Sequence, residues 1–107
     1  MTPTTLTLAK ALNAGLRRSL EADPKVLLMG EDIGRLGGVF RVTEGLQADF
    51  GPDRVMDSPL AESAIVGTAV GLALRGYRPV VEIQFDGFVF PAFDQLTTQV
   101  SRLRFRS

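Results

Sequence analysis

The feature that most constrains the fold is the alternation of helix-like and strand-like segments along the chain. The strand-like runs are short and apolar, and the connections between them carry helical patterns. These connections are too long for β-hairpins, and parallel strands require crossovers of this kind. We therefore predict an α/β domain with a mainly parallel sheet that is flanked by helices.

The predicted elements follow one another in a regular order. Leu8, Leu12, Leu16 and Leu20 recur every four residues, which predicts an apolar face on a first helix that Pro24 ends. The continuously apolar run at 25–29 is typical of a strand that is covered on both faces. The predicted helices cover residues 7–22, 43–51 (with Thr43 as the cap), 61–75 and a last helix opening near Pro91, and the predicted strands cover 25–29, 54–56 and 78–85.

Composition excludes several classes of function. The 107 residues contain no His and no Cys, so this chain holds no Ser-His-Asp relay, thiolate nucleophile, disulfide or Cys/His metal site. Twelve basic and twelve acidic residues give a net charge of zero, which argues against electrostatic binding to nucleic acid or to an anionic membrane. No apolar run approaches the roughly 20 residues that span a bilayer. We expect an intracellular, soluble protein.

In a parallel sheet, ligands bind beyond the carboxyl ends of the strands. Three segments lie at such positions, namely residues 30–38, 57–62 and 84–88. The glycines of the first segment do not fit G-x-G-x-x-G, no Lys-Ser/Thr follows them, and Glu31 and Asp32 would repel a phosphate. We interpret this segment as a turn that leaves a strand rather than as a nucleotide site.

Glu62 lies in the first turn of the most apolar predicted helix. One interpretation is a simple preference for a carboxylate near the positive end of a helix dipole. The other is a carboxylate at the lip of a cleft, where apolar surroundings raise its pKa and where it hydrogen-bonds a ligand nitrogen or moves a proton. The residue pattern alone leaves both interpretations open.

Aromatic and polar side chains cluster around the last predicted strand. We expect most of Phe85, Phe88, Phe90 and Phe93 to lie in the core, with one at the strand-to-helix turn available to a planar ligand. Glu82 and Gln84 fall within a strand that should be buried. Buried polar groups need partners, so these two predict a cleft, a subunit contact or an edge position.

Four segments of the sequence resemble a known family. They read GEDIG, GGVFRVTEGL, FGPDRVMDSPLAESAIVGTAVGLALRGYRP and VEIQFDGFVFPAFDQL. In this order they are similar to the start of the beta subunit of the thiamine-diphosphate-dependent decarboxylase of 2-oxo acid dehydrogenase complexes. The resemblance runs from about Lys25 to Ser107, and the residues of these segments are closer to those of the branched-chain enzymes than to those of many pyruvate enzymes.

The resemblance implies roles for three residues. Glu62 matches the family's Glu that contacts the ring nitrogen of the cofactor's aminopyrimidine and favours the tautomer that deprotonates the thiazolium. Phe88 matches the aromatic neighbour of the aminopyrimidine, where some relatives carry Tyr, and Leu60 matches an apolar residue beside the cofactor. It assigns no metal ligand to this chain.

The resemblance also implies an assembly. It predicts that residues 1–107 are the N-terminal part of a transketolase-like, pyrimidine-binding domain, because family beta subunits continue well beyond this length. The partner would be an alpha subunit in an alpha2beta2 heterotetramer, which holds magnesium and the diphosphate. A small 2-oxo acid would be the substrate, and the acyl group would pass to a lipoyl-bearing acyltransferase. We expect the isolated chain to be inactive and the complex to be cytoplasmic, or in the mitochondrial matrix of a eukaryote.

Three alternatives remain open at this point. The chain could come from a pyruvate dehydrogenase beta subunit, or from another transketolase-like thiamine enzyme. It could also be a non-catalytic module that occupies a subunit interface through its small-residue helix at 61–75.

Overall fold

The computed structural model describes residues 5–59, 61–85 and 89–106. Its first element is helix α1, Leu8–Ala22. The Thr7 hydroxyl accepts a hydrogen bond from the Lys10 N–H at 3.2 Å, which satisfies one of the free donors at the start of the helix. The predicted boundaries at 7 and 22 are confirmed to within one residue.

Three strands form one parallel sheet. They are β1, Val26–Gly30, β2, Val55–Asp57, and β3, Arg78–Glu82. The strand order is β2-β1-β3, and β1 is parallel to both neighbours. All five residues of β1 are buried, as its unbroken apolar run predicts. The α/β class with a parallel sheet is therefore confirmed, and β3 is an edge strand among the described residues.

The remaining helices follow these strands. They are α2, Leu46–Phe50, α3, Glu62–Leu74, α4, Val89–Asp94, a π-helical segment, Gln95–Val100, and α5, Leu103–Arg106. None of the helices in the described part of the chain is both long and apolar enough to cross a membrane.

Thr43 does not cap α2, contrary to the prediction. Gly45, in the left-handed region at φ 78°, occupies the cap position instead. The Thr43 side chain is buried and donates its hydroxyl to the carbonyl of Ile33 at 2.7 Å. The Thr43 hydroxyl is therefore bonded within the fold and does not cap the N–H groups at the start of α2.

The last helix is interrupted rather than continuous. Thr97 and Thr98 donate their hydroxyls to main-chain carbonyls one turn earlier, including that of Asp94 at 2.6 Å from Thr98. Such back-bonding distorts a helix, and the chain takes the wider π geometry over these residues.

The core lies between α1, α2 and the face of the sheet they cover. Its buried members are Leu20, Val26, Leu28, Ile33, Leu46 and Val55, with Leu16 and Phe50 packed against them. The leucine stripe of α1 is thus only partly in the core, because Leu8 is 77% exposed. Leu12 borders an open groove of about 250 Å³ above β3 instead of a filled interior.

The expectation that most of the clustered phenylalanines are core residues is wrong for those described. Phe85, Phe90 and Phe93 all count among the exposed large apolar side chains. All three follow β3, which is an edge strand of the sheet among the described residues. Phe88 lies outside the described residues.

Candidate functional site

The carboxyl ends of the three strands meet at one edge of the sheet. Gly30, the last residue of β1, is in register with Asp57 of β2 on one side and with Glu82 of β3 on the other. The Ser58 N–H donates to the Gly30 carbonyl at 2.9 Å. The segments predicted as 30–38 and 57–62 are therefore adjacent, while the segment at 84–88 is described only through Phe85.

Glu62 is the first residue of α3 and is only 7% exposed. A helix-start preference alone would leave its carboxyl in water, where the dipole still acts on it. The observed burial instead requires a partner for the carboxyl group, because a buried polar group without one is costly. The geometry therefore favours the cleft interpretation of this residue.

The neighbour of this carboxyl group is that of Glu31, which lies within hydrogen-bonding reach of Glu62. Glu31 directly follows β1 and is 5% exposed. Two buried carboxyl groups in contact disfavour the state in which both are ionised. We call Glu31 and Glu62 the carboxyl pair.

Several causes raise the pKa of Glu31 above its ordinary value. Burial is the largest, followed by the hydrogen bond to Glu62 and by the negative charges of Glu62, Asp32 and Glu82. Burial also raises the pKa of Glu82. Oε1 of Glu31 is itself buried and has no hydrogen-bond partner among the described residues. Glu31 therefore retains its proton at a higher pH than an exposed carboxyl would.

Sequence reasoning missed Glu31 as a site residue and weighed it only as a group that repels phosphate. The signal was its position, directly after a continuously apolar strand and hence at the ligand-binding edge of a parallel sheet. Its contact with α3 depends on how the crossover packs, and no local pattern gives that.

A glycine-rich loop covers this edge between β1 and α2. Asp32 adopts φ 57°, and its carbonyl accepts the Gly38 N–H at 2.8 Å. An ideal Cβ on Gly38 would lie 3.7 Å from Oε2 of Glu82, so the loop passes close to the end of β3. The loop is thus folded against the carboxyl ends of the strands.

An aromatic pair stands at the same edge. The rings of Phe40, from the loop, and Phe85, just after β3, meet edge to face with centroids 5.6 Å apart. Phe85 is the described phenylalanine at the turn after the last strand, and a contact between an aromatic residue of this turn and a planar ligand stays a prediction. The two cofactor contacts implied by the resemblance, Leu60 and Phe88, lie outside the described residues, so both stay predictions.

The carboxyl pair offers hydrogen-bonding groups to a polar ligand. Oε1 of Glu31 is buried and has no hydrogen-bond partner among the described residues. A carboxyl group donates to a ring nitrogen when it is protonated and accepts from a ring amine when it is ionised. Among the described residues, no three His, Cys, Asp or Glu side chains are grouped so as to hold a metal ion.

Comparison with known proteins identifies a family and several similar proteins. Residues 4–107 match the family model described as the transketolase, pyrimidine binding domain. The pyruvate dehydrogenase E1 component subunit beta of Leifsonia xyli subsp. xyli is 72% identical over 98 residues, which are 92% of this chain and 29% of that protein. Subunits of the same name from Staphylococcus aureus strain Mu50 and from Staphylococcus epidermidis are each 58% identical over 102 residues, 95% of this chain and 31% of each relative. The chain thus spans less than a third of the length of these relatives.

Proposed function

Because this chain belongs to the transketolase pyrimidine-binding domain family, we propose that it forms part of the E1 beta subunit of a 2-oxo acid dehydrogenase complex. In this proposal residues 1–107 are the N-terminal part of the domain that binds the aminopyrimidine of thiamine diphosphate. The high identity to E1 beta subunits over nearly the whole chain supports this assignment over other transketolase-like enzymes.

The observation that carries the proposal is the buried carboxyl pair. Glu62 is 7% exposed and lies beside Glu31, whose pKa is raised first by burial and then by its contact with Glu62. We assign Glu62 to the ring nitrogen of the aminopyrimidine, where its carboxyl group donates a proton and takes it back. Thiamine diphosphate, when bound, supplies the nucleophilic carbon for decarboxylation of a 2-oxo acid.

Two further contacts are proposed from the resemblance. Phe88 would provide a flat apolar contact for the aminopyrimidine ring, and Leu60 an apolar contact beside it. Both flank described parts of the site in the sequence, since Leu60 lies two positions before the first residue of α3 and Phe88 directly precedes α4. Magnesium and the diphosphate would be held by the alpha subunit of an alpha2beta2 heterotetramer.

For the substrate we propose pyruvate. The residues of the four sequence motifs favoured a branched-chain 2-oxo acid. The relatives described above, however, are pyruvate dehydrogenase subunits, one of them at 72% identity. The acyl group would pass to the lipoyl arm of an acyltransferase. These relatives come from bacteria, which supports a cytoplasmic complex rather than a mitochondrial one.

The test is a Glu62→Gln substitution in the complete beta subunit, assembled with its alpha partner. Loss of a positioned acid–base group typically costs 10²–10⁴-fold in rate, so we expect reductive acetylation of a lipoyl domain to fall by about 100-fold or more. Glu21→Gln, which changes an exposed carboxylate on α1, is the matched control and should retain the full rate.

The same assay separates the alternatives. Pyruvate should be used in preference to a branched 2-oxo acid, and the opposite preference would restore the branched-chain assignment. If the Glu62→Gln complex turns over at the rate of the control, the role of Glu62 is wrong. If the subunit binds its alpha partner but no substrate supports lipoyl acylation, the chain is the non-catalytic interaction module.

A further inference from the structure

Asp57 anchors the glycine-rich loop to the end of β2. The Gly34 N–H donates to Oδ1 of Asp57 at 2.7 Å. An ideal Cβ on Gly34 would lie 2.6 Å from the other carboxylate oxygen of Asp57 and would collide with the side-chain amide of Gln47. Any side chain at position 34 would therefore force Asp57 and Gln47 to move from these positions.

The anchored segment is the one that carries Glu31. Asp32 turns the chain directly after Glu31, in a left-handed conformation that is strained for a non-glycine residue. The Gly37 N–H bonds back to the Gly34 carbonyl at 3.1 Å, so the anchor point belongs to a hydrogen-bonded turn. A displacement of Gly34 is therefore transmitted through a short, tightly folded segment to Glu31.

We propose that Asp57 is a positioning residue for the carboxyl pair. By accepting the Gly34 N–H, it holds the loop in the place where Glu31 stays buried against Glu62. The inference rests on the proposed function, which assigns the pair to the cofactor. Asp57 itself is exposed, so its substitution opens no cavity in the core.

Release of the anchor should change how Glu31 titrates. The acidic groups that face Glu31 are Glu62 from α3, Asp32 from the loop and Glu82 from β3. When the loop moves outward, Glu31 gains water and moves away from Glu62. Both changes favour its ionised form, so the pKa of Glu31 falls.

The first measurement is an infrared titration of the protonated-carboxyl C=O band in the complete beta subunit, assembled with its alpha partner and free of cofactor. Asp57→Ala should lower the midpoint of the Glu31 band, identified as the band that Glu31→Gln removes, by about one pH unit, the scale on which protein surroundings move carboxyl pKa values. Asp57→Asn keeps an oxygen that can accept the Gly34 N–H, so it should titrate like the wild type.

The matched control is Asp49→Ala. Asp49 is also an exposed carboxylate with one side-chain partner, Arg17 at 2.6 Å, but it lies on α2 and does not bond the loop. This variant should leave the midpoint unchanged. An equal shift in the Asp49 and Asp57 variants would overturn the proposal, because it would show a general effect of lost surface charge.

The second measurement is calorimetric binding of thiamine diphosphate. Asp57→Ala and Gly34→Ala break the same contact from its two sides, so each should weaken affinity and the double variant should add little. Fully additive losses would contradict a shared anchor. Gly34→Ala also keeps the test available if Asp57→Ala gives too little folded protein.

The same two measurements on Glu62→Gln distinguish a failure of the proposed function from a failure of the positioning role of Asp57. If this variant leaves both the cofactor affinity and the titration unchanged, the proposed function fails. If Glu62→Gln alters both while Asp57→Ala matches the wild type, the proposed function stands and the positioning role of Asp57 is wrong.

Discussion

The carboxyl groups of Glu31 and Glu62 lie against each other, although one residue follows the central strand β1 and the other begins α3, the helix that follows the next strand, β2. Both residues are more than nine-tenths buried. Two buried negative charges in contact repel each other, so burial and the neighbouring acidic groups raise the pKa of Glu31. The stability of this domain should therefore depend on pH.

The first prediction concerns stability against pH. The pKa of Glu31 in the folded chain lies above the ordinary value of 4.5 that applies to the unfolded chain. Between these two values the folded chain binds more protons than the unfolded chain, so the free energy of unfolding falls as pH rises. The contribution is fully present below pH 4.5 and is lost as pH rises through the raised pKa.

Denaturant titrations from below pH 4.5 to neutral pH measure this slope. Glu31→Gln should flatten it, because the variant carries no ionisable group at this position. Glu82→Gln should remove a separate part of the slope with the same sign, since burial raises that pKa as well. Glu21→Gln, at an exposed position, is the control, and a slope equally flattened by it would contradict the assignment to buried carboxyls.

The second prediction concerns the leucine stripe of α1. Leu20 is 1% exposed and belongs to the core cluster, whereas Leu8 is 77% exposed. Leu20→Ala should lower the free energy of unfolding by about 2–5 kcal/mol, because it removes buried methyl groups and leaves a cavity. Leu8→Ala should change it by less than about 0.5 kcal/mol. Comparable losses in the two variants would show that the whole stripe is buried.

Much of the fold was predictable because it depends on local patterns. The unbroken apolar run of β1 requires cover on both faces, and the spacing of the strands requires crossovers, so the parallel sheet followed from the sequence. Exposure was less predictable. The periodicity of α1 says which face is apolar, but whether Leu12 meets a core or an open groove depends on what lies above β3.

The candidate site was predictable in its place but not in its contacts. Glu62 was found because a carboxylate starts the most apolar helix, and the structure buries it at the predicted edge. Glu31 was missed as its partner, since the contact forms between segments that are distant in sequence. The proposed role of Asp57 was not predictable for the same reason, because its bond to Gly34 forms only when the loop folds back over β2.

The third prediction compares two glycines that both have open space around them. Neither Gly15, within α1, nor Gly51, after α2, has any atom within 4 Å of an added Cβ, but Gly51 adopts φ 91°. Gly15→Ala should stabilise the chain by roughly 0.5–1 kcal/mol, because alanine loses less conformational freedom in a helix. Gly51→Ala should destabilise it by about 1–3 kcal/mol through backbone strain. Thermal or denaturant unfolding gives both values, and changes of the same sign would contradict the backbone assignment.

The fourth prediction concerns the buried hydroxyl that closes the glycine-rich loop. Thr43 is 3% exposed and donates to the Ile33 carbonyl, while its own N–H bonds the Gly37 carbonyl at 3.2 Å. Thr43→Val keeps the shape of the side chain but leaves the Ile33 carbonyl without that donor, at a cost of about 1–3 kcal/mol. Hydrogen exchange at the Gly38 amide, which bonds within the same loop, should quicken in parallel. Thr5→Val, at an exposed position before α1, should alter neither quantity, and an unchanged Gly38 exchange rate in the Thr43 variant would show that the hydroxyl does not hold the loop closed.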